Sequence, residues 1–99
     1  MDENICWEVK FRIFRRRVIN HGYSMYFIPS QQYSPRMFAD KVKENFDKII
    51  ARLKKKYRGD VLKIEIQFIP KTPIKIKTYY MGMVETSIGW IEKDRLFYI

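Results

Sequence analysis

The residues best suited to catalysis or metal binding stand alone in this 99-residue chain, in which His21 is the only histidine and Cys6 the only cysteine. A nucleophilic cysteine needs an activating base, and zinc and calcium sites need several ligands at set spacings. Neither residue has such neighbours, and no phosphate-binding glycine loop or nucleophile elbow occurs. We therefore predict a protein that is not an enzyme, with no catalytic residue, cofactor or metal site. His21 is expected in an exposed turn and Cys6 as a passive thiol.

Two basic runs are the main candidates for ligand binding. The first is made of Lys10, Arg12, Arg15, Arg16 and Arg17, and the second of Lys54, Lys55, Lys56 and Arg58. Such side chains neutralise phosphates and release counterions, which favours nucleic-acid binding. The second run also suits the C-terminal end of a helix dipole, so for this run a solvated helix end is the favoured interpretation. The dipole does not explain three consecutive arginines, and both interpretations stay open.

Aromatic residues form 16% of the chain, more than one small core can hide. Tyr79 and Tyr80 are adjacent, so on a strand they must face opposite sides of the sheet. Tyrosine, tryptophan and arginine dominate contact energies in protein interfaces. We therefore predict an interface with an unidentified protein partner that includes Tyr79, Tyr80 and Trp90.

One predicted helix, at about residues 35–58, organises the rest of the chain. Its apolar residues recur every three or four positions and form one stripe. They are Phe38, Val42, Phe46, Ile49, Ile50, Leu53 and Tyr57. Ser34 can cap the first turn, Pro35 suits the first helical position, and Gly59 can end the helix in a left-handed conformation.

Alternating apolar residues predict strands on both sides of this helix. Before it we expect a strand over 5–13, a bulge or bend near Phe14, a turn at 20–22 and a returning strand over 23–28. After it we expect a strand over 62–68, a rigid turn at 70–73, a returning strand over 74–81 and a break at Gly82. The final segment is predicted as a hairpin of 88–91 and 96–99 around a charged turn at 92–95.

These elements predict a single α+β domain over residues 1–99. Its antiparallel sheet of about five to six strands, in the order β-β-α-β-β plus a C-terminal hairpin, carries one long central helix on one face. Five or six strands about 4.8 Å apart are wider than a helix of about 10 Å. The remaining apolar surface must be buried by curling of the sheet, by the last hairpin or by a second copy. From this we predict a homodimer.

Composition and charge describe the setting. The net charge is +9, and no apolar run is long enough to span a membrane. The first residues are acidic and then alternating, unlike a signal peptide, so we predict a location in the host cytoplasm or a virion. The chain has fourteen isoleucines and twelve lysines but two alanines and three leucines. In this composition it resembles small proteins of viruses that infect hyperthermophilic archaea, which implies a compact, heat-stable and often dimeric viral protein.

Together these features predict a non-enzymatic, homodimeric interaction or structural accessory protein. The alternative is a nucleic-acid-binding protein that uses the arginine-rich hairpin and the basic helix end. A single helix excludes a helix-turn-helix, so such binding would depend on backbone charge rather than on base sequence.

Overall fold

A long central strand, β1, organises the sheet in this computed structural model, which describes residues 4–16, 21–67 and 73–99. The strands are β1 (Asn4–Phe14), β2 (His21–Ile28), β3 (Lys63–Gln67), β4 (Ile74–Tyr80), β5 (Met83–Thr86), β6 (Gly89–Glu92) and β7 (Leu96–Tyr98). Their order is β6-β5-β4-β1-β2-β7, and β3 pairs with β1 beside β4. All pairs are antiparallel except β2 with β7. The predicted α+β class is confirmed, with seven strands in the sheet.

The predicted long helix consists of two consecutive helices, α1 (Pro35–Glu44) and α2 (Phe46–Lys56). Asn45 separates them because its side-chain amide donates to the Lys41 carbonyl at 2.9 Å, the oxygen that a continuous helix would bond through the Asn45 N–H. The Asn45 N–H instead donates to the Val42 carbonyl. The predicted helix thus spans the expected residues but is interrupted at Asn45. The Ser34 cap is confirmed, since Ser34 Oγ accepts from the Met37 N–H at 3.2 Å.

The helices cover one face of β1 and β2 and form the first core. It contains Val9, Phe11, Ile13, Tyr23, Met25, Phe27, Val42, Ile49, Leu53, Tyr57 and Phe97. Phe27 stacks on Phe97 with ring centroids 5.2 Å apart and meets Phe38 of α1 edge-on. The predicted stripe thus supplies the helical half of this core.

The opposite face of the sheet encloses a second core, because the sheet curls. Its members come from the six strands other than β3: Cys6, Tyr26, Ile28, Ile74, Ile76, Val84, Ile91 and Leu96. β6 and β7 lie at opposite ends of the strand order, yet only the short 3₁₀ turn Lys93–Arg95 joins them. The apolar surface that one helix layer leaves uncovered is thus largely buried within the chain. The homodimer stays a prediction.

The predicted return of the chain at residues 70–73 is wrong. β3 and β4 are both antiparallel to β1, so they run in the same direction along one edge. The pairs Lys10–Gln67 and Cys6–Ile74 are four residues apart along β1 but seven residues apart along the segment that runs from β3 to β4. Residues 70–72 of the predicted turn lie outside the described part of the chain.

The predicted C-terminal hairpin of 88–91 with 96–99 is also wrong. The hairpin is formed by β5 and β6, with Thr86 opposite Gly89. Thr86 Oγ1 accepts from the Ile88 N–H and donates to the Gly89 carbonyl, which closes the turn. β7 follows this hairpin in the chain and pairs in parallel with β2.

The first hairpin differs from the prediction in its turn. β1 pairs regularly as far as Phe14 and a bend follows at Arg16, so of the two alternatives the bend is correct. β2 already begins at His21, so His21 and Gly22 belong to a strand and not to a turn. Asn20 lies outside the described residues.

Candidate nucleic-acid interface

The two basic runs meet at one end of the molecule, where β1 ends and α2 ends. The Arg15 guanidinium lies over the Tyr57 ring, 4.6 Å from its centroid, and Arg15 Nε is 3.4 Å from Asp60 Oδ2. The Arg16 N–H donates to Asp60 Oδ1 at 3.4 Å. Residues more than forty positions apart are thereby held together. We call this region the basic end.

The helix side of the basic end carries exposed cations. They are Arg16, Lys54, Lys55, Lys56 and Arg58. Lys56 Nζ lies 4.8 Å from the centroid of the Tyr23 ring, so its stem follows the surface of the first core. The three lysines occupy the last turn of α2, where positive charge complements the helix dipole. Because these three lysines are exposed, they can also contact the phosphate groups of a ligand.

The other side of the basic end is an open sheet face, turned away from the helices. Strand pairing places Lys10, Arg12 and Phe14 beside Gln67, Glu65 and Lys63, respectively. A cavity of about 320 Å³ is lined by Lys10, Arg12, Gly22 and Gln67. A Cβ on Gly22 would lie 2.8 Å from Lys10 Cε, so the missing side chain leaves room for this lysine. The cavity therefore combines two cations with an amide, which suits an anion.

Glu65 moderates the charge of this open face. Its carboxylate lies 2.9 Å from Lys63 Nζ and 3.7 Å from Arg12 Nη1. The hydrogen bond from Lys63 holds the pKa of Glu65 below its ordinary value, so the carboxylate is ionised at neutral pH. Arg12 and Lys63 both lie 5.5 Å from the centroid of the Phe14 ring. An aromatic ring flanked by cations thus marks the edge of the face.

The predicted binding residues are therefore divided between two surfaces. Lys10 and Arg12 lie on the open sheet face. Arg15 and Arg16 follow the end of β1, and the second basic run, Lys54, Lys55, Lys56 and Arg58, lies at the end of α2. Arg17 lies outside the described residues. Gly22, Lys63 and Gln67 were not predicted as part of this site, because their approach to Lys10 and Arg12 depends on strand register, for which no local signal exists.

The predicted interface residues lie away from the basic end. Tyr79 pairs with Val84 in a row that faces the second core, and its hydroxyl is 2.5 Å from that of Tyr98. Tyr80 pairs with Met83 on the outer face, and Trp90 is exposed opposite Glu85. The two tyrosines face opposite sides, as predicted. Tyr98 was missed because its contact depends on the curling of the sheet.

Two further arginines have structural roles that the sequence does not reveal. Arg52 donates from Nη1 to the Asp94 carbonyl at 2.6 Å and to the Leu96 carbonyl at 3.1 Å. Arg95 donates from Nε to the Ser24 carbonyl at 2.9 Å and lies over the Tyr23 ring. Both fix the segment that leads into β7, and so they are poorly placed to bind a ligand.

Cys6 is fully buried in the second core. Burial raises the pKa of its thiol to about 11, so the thiol is protonated at neutral pH. Among residues 4–16, 21–67 and 73–99, no three His, Cys, Asp or Glu residues are grouped to hold a metal ion. In the same ranges, no helix has the length and apolar character needed to cross a membrane.

Comparison of the chain with protein-family models, with curated proteins and with solved structures finds no match.

Proposed function

We propose that this protein is a non-enzymatic accessory protein that binds nucleic acid through the phosphate backbone, in the viral setting that its composition resembles. The meeting of the two basic runs at one end is the observation that supports it most strongly. Separately, each run has an ordinary explanation, but together they extend positive charge over both sides of the same end. Dense positive charge of this kind raises the affinity and association rate for polyanions.

The two surfaces of the basic end have different parts in this proposal. Exposed Lys54, Lys55 and Arg58 contact phosphates as point charges on the helix side. Lys10 and Arg12 hold a further phosphate in the cavity of the open sheet face. Phosphate contacts carry no sequence information, so binding depends on salt and little on sequence.

The test is a fluorescence anisotropy titration with labelled duplex and single-stranded DNA at two salt concentrations. With about four or five phosphate contacts, the logarithm of the duplex binding constant should fall with the logarithm of salt at a slope of about −4. Lys54→Gln with Lys55→Gln should reduce the magnitude of that slope by about 2 and weaken binding about tenfold or more.

The matched control is Lys43→Gln with Lys77→Gln, which removes the same net charge from exposed positions away from the basic end. This pair should change the affinity by less than about threefold, because distant surface charges are largely screened. Absence of binding by the parent protein at low salt would refute the proposal. Equal losses in both double variants would also refute it, since net charge alone would then be responsible.

The second candidate is a protein-interaction function, for which the outer face of β4–β6 provides the observation. Tyr80 is 65% exposed and Trp90 52% exposed. Side chains of this type often anchor interfaces. If Tyr80→Ser with Trp90→Ser leaves DNA binding intact but abolishes self-association, this face is the interface. If self-association is unchanged, this face has no part in it.

A further inference from the structure

The outer edge of β3 is not paired with any strand in the described part of the chain. One edge of β3 pairs with β1, with Lys63 opposite Phe14 at one end and Gln67 opposite Lys10 at the other. An open strand edge presents backbone N–H and C=O groups in the geometry that another strand needs. This edge is therefore suited to sheet extension.

The sequence of β3 is complementary to itself when a second copy lies antiparallel with Ile64 opposite Ile64. In that register Lys63 faces Glu65 of the second copy, and Glu65 faces Lys63 of the second copy. Opposite charges that face each other across strands stabilise a pair, and like charges destabilise it. The charges of β3 therefore favour the register with Ile64 opposite Ile64.

Apolar residues support the same register. Leu62 is 65% exposed, and Ile64 and Ile66 are half-buried against the first core. Side chains alternate along a strand, so Ile64 and Ile66 lie on the helix side and the charged residues on the open face. With Ile64 opposite Ile64, Leu62 comes opposite Ile66 of the second copy. Pairing therefore buries apolar surface that one chain leaves exposed.

Among the described strands, β6 and β7 at the two ends of the strand order offer less suitable edges. The β7 edge is partly occupied, because Arg52 donates to the Leu96 carbonyl. β6 has Glu92 as its only charged residue, so no opposite-charge pair can form between two copies of this strand. β3 is the edge whose charges select a second copy of this chain.

We propose that two copies of this protein associate through β3, antiparallel and centred on Ile64. The axis of this dimer is perpendicular to the sheet, so the helices of both copies lie on one side. The two open sheet faces then form one surface, and each copy contributes Lys10 and Arg12 to it. The proposal does not depend on nucleic-acid binding, although the joined surface would offer twice the phosphate contacts.

Charge reversal tests both the edge and the register. Lys63→Glu places like charges opposite each other in the dimer, and Glu65→Lys does the same with the opposite sign. We expect sedimentation velocity to show a dimer for the parent protein at concentrations on the order of tens of micromolar. Each single variant should raise the dissociation constant about tenfold or more.

An equimolar mixture of the two single variants should dimerise again, because each charge then faces its opposite in a heterodimer. The double variant Lys63→Glu with Glu65→Lys should also dimerise. A variant that simply fails to fold cannot be restored by mixing, and circular dichroism melts of each variant report folding directly. Lys77→Glu, on β4, serves as a control that leaves association unchanged.

A parent protein that is monomeric at these concentrations would overturn the inference, as would single variants that remain fully dimeric. A mixture that stays monomeric while each variant is folded would overturn the register. All of these readouts are molecular masses in the absence of nucleic acid, so they are independent of whether the basic end binds DNA.

Discussion

The hydroxyl oxygens of Tyr79 and Tyr98 lie 2.5 Å apart, although β1 and β2 separate their strands in the sheet order. Three strand spacings in a flat sheet amount to roughly 14 Å. The contact is possible because the sheet curls until β4 approaches β7. This hydrogen bond therefore reports closure of the sheet around the second core.

Replacement of one member of this pair should destabilise the protein modestly. Tyr79→Phe leaves Tyr98 without this partner, and a lost hydrogen bond usually costs about 0.5–1.5 kcal/mol. Partial exposure places the expected loss near the lower end. Tyr79→Phe with Tyr98→Phe should cost less than the two single losses combined, because the pair forms one interaction. Urea denaturation measures all three values, and additive losses would show that the hydroxyls do not interact.

The second core can be tested with two isoleucines that lie close in sequence. Ile91 is buried in this core, whereas Ile88 is exposed in the β5–β6 turn. Ile91→Ala should reduce the free energy of unfolding by about 2–5 kcal/mol through lost burial and a cavity. Ile88→Ala should change it by less than about 0.5 kcal/mol. Equal effects in chemical denaturation would contradict the curled arrangement.

In the β4–β5 turn, we expect one substitution to stabilise the protein and another to destabilise it. Met81 and Gly82 have φ angles of 45° and 78°, as a type I′ turn requires. Asparagine tolerates this conformation better than methionine, so Met81→Asn should stabilise the protein by about 0.5–1 kcal/mol. Gly82→Ala should destabilise it by about 1–2 kcal/mol, because a Cβ is strained there. Thermal and urea denaturation should rank the variants in this order, and stabilisation by Gly82→Ala would refute the turn.

Stability should fall in alkali because burial raises the pKa of several tyrosines. Burial, followed by the hydrogen bond to Tyr98, raises the pKa of Tyr79 from 10.0 to about 12, and burial raises that of Tyr23 to about 12. The folded state then holds these protons more tightly than the unfolded state. Their contribution is complete below pH 10 and is lost as the pH rises to about 12. Urea denaturation at stepped pH should show this decline, less steeply in Tyr79→Phe, and a flat profile would contradict it.

Local signals in the sequence predicted much of the fold. Ser34 and Gly59 marked the helix ends through capping chemistry, and the alternation around Val9 and Phe11 marked β1. The break at Asn45 was missed because the apolar stripe continues through it. The β4–β5 hairpin was missed because Met-Gly occupies a turn that Asn-Gly usually signals.

Long-range arrangement was not predictable in the same way. Pro70 and Pro73 read locally as a reversal, whereas the direction of β4 is set by its pairing with β1. The basic runs were identified residue by residue, yet their meeting near Asp60 depends on tertiary contacts. A candidate site assembled from distant segments therefore became visible only in the structure.

The parallel pairing of Tyr26 with Leu96 has a consequence for folding kinetics. It joins positions 26 and 96, seventy residues apart, and it completes the enclosure of the second core. Forming a contact between positions this far apart costs loop-closure entropy before any apolar surface is buried. Such contacts therefore slow folding. Until this pairing forms, the inner sides of β4, β5 and β6 remain open to solvent. We therefore expect a late, rate-limiting closure step, before which the chain is most prone to aggregate.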